Sequence, residues 1–370
     1  MRVIISGGGT GGHIFPAVAI AKTIQQQYPK AEILFVGALG KMEMEKVPAA
    51  GFEIVGLPIV GIQRRLTWKN LLVPFKLLAS MLKARRIIRE FKPDIAIGVG
   101  GYASGPLLRA ATSAGIATLI QEQNSFPGIT NRILSKKVNT ICVAYPGLEK
   151  YFPKEKLVMT GNPVRPEVVD LKGKTERAQS FFTLNAQRKT ILIIGGSLGA
   201  RTVNKAVEAA AKTWEEQGLQ VIWQTGKGYI EQAKGAVQGL PHVQAHEFIR
   251  EMDLAYAAAD LVVSRAGAMS ISELCLVGKP AVFIPSPNVS EDHQTKNAMA
   301  LVSHGAAVLV KDAEAEATLR DVVLGLIADE AKLSALAAGA KSMAFDHAAE
   351  RIVEEVMKLI PEEKRRTFQP

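Results

Sequence analysis

Only two cysteines occur in 370 residues, Cys142 and Cys275, each inside an apolar run. That is too few for a disulfide framework, and no Cys or His spacing matches a zinc site. Buried thiols in a reducing compartment are expected instead. No apolar run approaches the roughly 20 residues that span a bilayer. The opening MRVIISGGGTGG has no stretch of signal-peptide type, so the chain is expected to be made and kept in the cytosol. Aromatic residues are only 6 %. With neither an aromatic-rich sheet nor a recognition-helix pattern, nucleic acid is not an expected partner.

What is present is charge of one sign in one half. Residues 1–165 carry 22 Lys and Arg against 9 Asp and Glu, a net +13, whereas residues 166–370 carry 23 against 26, a net −3. The N-terminal half should therefore meet an anionic partner, either phosphate or an acidic membrane surface. Hydrophobic residues at 48 % and charged residues at 22 % suit a globular chain, and the length suits two domains. Short β-branched runs (RVIIS, EILFVG, DIAIGVG, ATLIQE, NTICVA) alternate with stretches of helical spacing, the pattern of parallel sheet covered on both faces. At residue 190 the layout restarts with TILIIGGSLGA, followed by QVIWQT, DLVVS, PAVFIP and AAVLV. The fold class expected is α/β, with two doubly wound domains. GNPVRP, 161–166, reads as the linker. The amphipathic run 343–360 either covers the second domain or crosses back to the first, and KRR at 364–366 reads as a solvated tail.

GGGTGG (7–12), GVGGYASGP (98–106) and GGSLGA (195–200) each follow a strand. Such turns aim backbone N–H groups and a helix dipole at a bound oxyanion, so all three are candidate phosphate cradles. A nicotinamide cofactor would also need an acidic residue at the end of the next strand. Ala38, Leu39 and Gly40 stand there after EILFVG, and Gln224 and Thr225 end QVIWQT. Glu43 and Glu45 come later and read as a helix face. The dinucleotide reading is disfavoured at both sites.

GGGTGGH, GGYASGP, EQNSFPGITNR, GNPVRPE, GGSLGA, SRAGAMSISE and DHQTKNA occur in this order from residue 1 to about 360. Together they resemble the MurG family of glycosyltransferases. The resemblance implies a GT-B architecture, with two Rossmann-like domains facing across a cleft. The division is 1–164 for acceptor and membrane, 165–342 for the UDP-sugar, and 343–370 as a C-terminal helix. It implies inverting transfer of N-acetylglucosamine from UDP-N-acetylglucosamine to the 4-hydroxyl of lipid I, a polyprenyl-diphosphate muramyl-pentapeptide. The β-1,4 product is lipid II, for peptidoglycan. No cofactor or metal is held tightly. The implied location is peripheral, on the cytoplasmic side of the inner membrane, with cell-wall synthesis and division proteins as further partners. A UDP-sugar epimerase or another GT-B transferase is the alternative, and a non-catalytic UDP-sugar-binding module is a third reading.

The resemblance gives roles to particular residues. His13 is the candidate base for the attacking hydroxyl, which suits an imidazole at neutral pH. Its rival roles are to orient the helix start or to bind an acceptor phosphate. Thr10, Gly11 and Gly12 are expected to shape the donor pocket, while Gly8, Gly9, Gly101, Tyr102 and Ser104 are expected at the acceptor diphosphate. Asn124 is placed at the donor sugar, with a turn-forming role as the alternative. Arg165 and Ser197 are placed at the donor diphosphate, where a guanidinium and a hydroxyl would stabilise departing UDP. Glu273 is placed on the uridine ribose. Its rival is a capping box, Ser270-Ile-Ser-Glu273. Arg265 belongs with the same donor loop, Phe248 and Ile249 with the uracil, and His293, Gln294 and Asn297 with the donor sugar.

LTWKNLLVPFKLLASMLKARRIIREFK, 66–92, mixes aromatics and leucines with lysines and arginines. It is too interrupted to span a membrane but suited to lie on one through Trp68, Leu71, Phe75, Lys76, Leu78 and Lys83. The alternative is a helix packed on the sheet with a solvated basic face.

Overall fold

Among the described residues, seven short strands come first: β1 (Arg2–Ser6), β2 (Glu32–Ala38), β3 (Glu53–Leu57), β4 (Ile95–Gly98), β5 (Ala117–Glu122), β6 (Thr140–Val143) and β7 (Leu157–Met159). Six more follow: β8 (Thr190–Ile194), β9 (Gln220–Gln224), β10 (Val243–His246), β11 (Leu261–Ser264), β12 (Ala281–Phe283) and β13 (Val308–Leu309). The computed structural model describes residues 1–59, 73–196, 199–289 and 292–366. The strands form two all-parallel sheets, ordered β3-β2-β1-β4-β5-β6-β7 and β10-β9-β8-β11-β12-β13. Every strand of β4, β6, β8, β9 and β11 is buried along its whole length. That is why these runs are apolar throughout instead of alternating: helices cover both faces.

The period of two sorts the β1 side chains into separate layers. Val3 and Ile5 enter one apolar cluster with Ile14, Ala17, Ile20 and Ile24 of the helix Gly11–Gln27. Ile4 enters the opposite cluster with Ala84, Ile87 and Leu107. In the second sheet, Ile191 and Ile193 pack with Val203, Val207 and Trp214 of the helix Arg201–Glu216.

The chain divides into two compact units, residues 1–164 with 347–370, and residues 165–346. Of the two courses open to the last amphipathic run, the helix Ala348–Leu359 takes the one onto the first unit. Its Ile352, Val353 and Val356 complete the cluster around Ile14 and Ile24. The KRR segment is not simply solvated: Lys364 Nζ reaches Asp94 Oδ1 at 2.5 Å and Arg365 Nε donates to the Ile360 carbonyl at 2.8 Å.

In both sheets the strand order reverses next to the opening strand, between β1 and β4 and between β8 and β11. Register then sets the level of the loops. Ser6 lies opposite Gly98, and Ile194 lies opposite Ser264, which lies opposite Phe283. The loops after these strands leave each sheet side by side, at the position where open α/β sheets bind ligands.

Candidate active site

The first unit gathers the loops after β1, β4 and β5. The helix Gly11–Gln27 begins directly after the glycine turn, with Thr10 as its extended N-cap residue. His13 sits in its first turn, and the ring Nδ1 lies 3.0 Å from the Gly8 carbonyl and 3.5 Å from Thr10 Oγ1. A carbonyl only accepts, so the shorter contact puts the proton on Nδ1. In the neutral ring Nε2 is then the basic nitrogen. The ring edge lies against Gly100, where an added Cβ would stand 2.8 Å from both Nε2 and Cδ2 and where φ is +94°. Gly101, φ +90°, is packed against the main chain of Gly8, with no room for a Cβ. The two glycine turns thus touch through their backbones, and glycine is required at both positions.

Several expected contacts take a different form. The Gly9 N–H donates to Glu43 Oε2 at 2.8 Å, so this amide is committed inside the protein and does not face a phosphate. Glu43 is not a solvated helix face: it is 1 % exposed, whereas Glu45 beside it is exposed. Ser104 is fully buried, and its hydroxyl donates to the Ser6 and Gly100 carbonyls, both at 2.9 Å. Its side chain ties β1 to the β4 turn; only its main chain is left for an acceptor. Tyr102, by contrast, is half exposed. After β5, the buried carboxylate of Glu122 accepts from Asn124 N and Nδ2, both at 3.1 Å, from Gly128 N at 3.1 Å and from Asn131 Nδ2 at 2.9 Å. Asn124 is therefore held with its NH2 toward Glu122, which turns its amide oxygen to other partners. Sequence reasoning missed Glu43 and Glu122. The signal that could have found them is a carboxylate beside a turn rich in backbone N–H donors.

In the second unit Phe248, Ile249, Arg265, Glu273, His293, Gln294 and Asn297 lie on the loops after β10, β11 and β12 or on the helices that follow, whereas Arg165 precedes β8. Glu273 belongs to the helix Ala268–Val277, whose N-cap is Gly267. Ser270 is inside the first turn, so the capping-box alternative fails: the helix starts too early for it. The Glu273 carboxylate accepts from Tyr256 Oη at 2.9 Å. Burial pushes its pKa above the usual carboxylate range, while the Tyr256 hydrogen bond and the Arg165 charge pull the other way. Arg165, at the start of the helix Pro166–Val169, is thereby placed close to Glu273.

Arg265 points into the protein instead of toward a ligand. Its Nη1 donates to the Ile284 carbonyl at 2.9 Å, to the Pro285 carbonyl at 3.2 Å and to Asp312. It braces the β11 and β12 loops against each other. Gln294 Oε1 accepts from the Ser286 N–H at 2.8 Å, which leaves its NH2 donors for a further partner. His293 begins the same helix, His293–Val302, whereas Asn297 within it is completely buried and offers no face to a sugar. Phe248 is 55 % exposed, but the Ile249 side chain is buried and its N–H donates to Gln224 Oε1 at 3.1 Å. Ser197 lies outside the described residues. Among the described residues, no three His, Cys, Asp or Glu side chains come together as a metal site.

Comparison with known proteins finds two family models that match the chain. The Glycosyltransferase family 28 N-terminal domain matches residues 3–143 and the Glycosyltransferase family 28 C-terminal domain matches residues 190–352. A Parabacteroides distasonis protein is 54 % identical over 97 % of this chain and 98 % of its own length. That protein is named UDP-N-acetylglucosamine--N-acetylmuramyl-(pentapeptide) pyrophosphoryl-undecaprenol N-acetylglucosamine transferase. The crystal structure of Acinetobacter baumannii MurG superposes with a TM-score of 0.78 at 31 % identity, covering 96 % of this chain and 99 % of that one. A Neisseria meningitidis UDP-GlcNAc 2-epimerase shares the fold, with a TM-score of 0.67 at 16 % identity over 97 % of this chain and 100 % of that one.

Proposed function

The chain belongs to glycosyltransferase family 28, and from that premise we propose that it moves N-acetylglucosamine from UDP-N-acetylglucosamine to the 4-hydroxyl of lipid I, making lipid II. The observation that carries this is the 54 % identity to the Parabacteroides transferase across nearly the whole length of both chains. The likeness to the epimerase is one of fold alone.

The reaction is a single displacement with inversion. His13 Nε2 takes the proton of the acceptor 4-hydroxyl as its oxygen bonds to the anomeric carbon. The bond from that carbon to the β-phosphate oxygen breaks, and its electron pair leaves with UDP. The Nδ1–H···O=C contact to Gly8 supports this role, because it makes Nε2 the basic nitrogen of the neutral ring. Glu273, held by Tyr256, takes the ribose hydroxyls. Arg165 offsets charge on the departing diphosphate. Asn124 and Gln294 address sugar hydroxyls through amides whose orientation is set by Glu122 and Ser286. The first unit, with exposed Tyr102 beside the β4 turn, takes the acceptor.

Peripheral attachment to the cytoplasmic face of a membrane belongs to the same proposal. Support comes from the helix Val73–Phe91, which exposes Phe75, Leu78 and Leu82 among basic residues. Incubation with UDP-N-acetylglucosamine and a lipid I analogue tests the whole reading. UDP release that depends on the acceptor is expected. An epimerised sugar formed without acceptor, or no UDP release with a competent acceptor, overturns it.

A further inference from the structure

We propose that Glu43 is a positioning residue for His13, acting through the first glycine turn; the inference rests on the reading of His13 as the base. Glu43 is the first residue of the helix Glu43–Ala49 and is 1 % exposed. A carboxyl group so deep in the fold must be satisfied by hydrogen bonds. Its two oxygens do this with two main-chain amides: Oε1 accepts from Ala38 N at 3.0 Å and Oε2 from Gly9 N at 2.8 Å. One side chain therefore joins the end of β2 to the turn after β1.

Two glycines are shaped around it. A Cβ on Gly8 would lie inside the Glu43 carboxylate, and a Cβ on Gly37 would stand 2.6 Å from Glu43 Cγ. The sequence thus holds two positions open for this one side chain. The next link is Gly8 itself, whose carbonyl is 3.0 Å from His13 Nδ1. With Gly9 pinned by Glu43 and Gly8 packed against it, that carbonyl has a fixed direction. The fixed carbonyl sets both the tautomer and the tilt of the imidazole. Neighbouring amides of a glycine turn are free to rotate when nothing holds them, so the alignment of His13 depends on a carboxylate 30 residues further along the chain. The same contact explains why this turn differs from a dinucleotide cradle: the Gly9 amide already serves an anion, and that anion belongs to the protein.

The test compares the full chain with Glu43→Gln, which keeps the volume, and Glu43→Ala. A glutamine offers one acceptor oxygen, so one of the two amides faces an NH2 group. The first readout is the tautomer of His13 by 15N NMR of histidine-labelled protein, with the His13→Asn spectrum identifying its signals among the six histidines. The wild-type ring above its pKa is expected to be Nδ1–H, and Glu43→Gln is expected to populate the Nε2–H form. The second readout is transfer: kcat falls between about tenfold and a hundredfold, while the Kd for UDP-N-acetylglucosamine changes less than twofold. Glu43→Gln with a wild-type tautomer overturns the proposal, whatever its turnover. An altered tautomer with unchanged kcat upholds the positioning of His13 and overturns its role as base. If Glu43→Ala does not fold, Glu43→Gln alone decides.

Discussion

At position 100 a single methyl group would reach the imidazole of His13. Gly100→Ala places a Cβ 2.8 Å from Nε2 at φ +94°. The backbone alone costs about 1–2 kcal/mol, and the ring must also move, so both Tm and kcat should fall. His13→Ala should lower kcat by about 10²–10⁴-fold and leave calorimetric binding of UDP-N-acetylglucosamine within twofold. At Glu273 the pKa is raised mainly by burial. A carboxyl with a raised folded pKa contributes stability that is present below its unfolded pKa, near 4.5, and lost as pH rises through the folded value. Glu273→Gln should therefore melt higher than wild type at neutral pH, with the gap closing below about pH 4.5, while its affinity for UDP falls. Tyr256→Phe removes the hydroxyl that favours the ionised form and should raise the UDP Kd about tenfold. At this scale the residue types were legible but not their directions. SISE reads as a cap until Gly267 is seen to start the helix, and Ser104 reads as a ligand hydroxyl until two inward carbonyls claim it. Hydrogen-bond partners from distant strands decide such cases, and spacing does not encode them.

The helix Val73–Phe91 carries its own test. Ser80, Ala84, Ile87 and Ile88 are buried, whereas none of residues 73–79 is. Phe75 is 72 %, Leu78 59 % and Leu82 56 % exposed, an i, i+3, i+7 stripe with Lys76 beside it. The C-terminal half packs on the sheet and the N-terminal half presents an apolar face. Among the described residues no helix is long and apolar enough to cross a membrane. Trp68 and Leu71 lie outside the described residues. Lys83 does not simply point to solvent, since its Nζ donates to the Gly56 carbonyl at 2.8 Å. The pattern showed the amphipathic face, but only the return of β3 beneath the helix shows where Lys83 ends. Phe75→Glu with Leu78→Glu should weaken sedimentation with anionic vesicles at least tenfold, since each apolar side chain inserted contributes about 1.5–3 kcal/mol. Acceptor-independent UDP binding should not change.

For the whole molecule, the two parallel sheets were legible because most strand runs are short and apolar and each glycine turn announces a helix; β3, β7 and β10, at sheet edges and carrying polar or very few residues, were not legible. The order β3-β2-β1-β4 was not written in any single run; it follows from how crossovers twist and pack. The destination of residues 348–360 was equally hidden, because an amphipathic stripe does not name its partner. It fits the first unit, where Ile352, Val353, Val356 and Ile360 are 0–1 % exposed. Losing four such side chains removes about 6–12 kcal/mol, comparable with the 5–15 kcal/mol that holds a domain folded. A chain ending at Asp346 should therefore lose cooperative melting of the first unit and be cleaved there by protease.

That arrangement has a temporal side. On the ribosome the residues made earliest must wait, their apolar surface incomplete, until the stretch 348–360 has emerged. The later-made unit, 165–346, is contiguous, and its main apolar cluster, from Ile191 to Leu336, is drawn from its own stretch of chain. Vectorial synthesis thus inverts maturation, with the nascent amino-terminal half the one that most needs chaperone shelter.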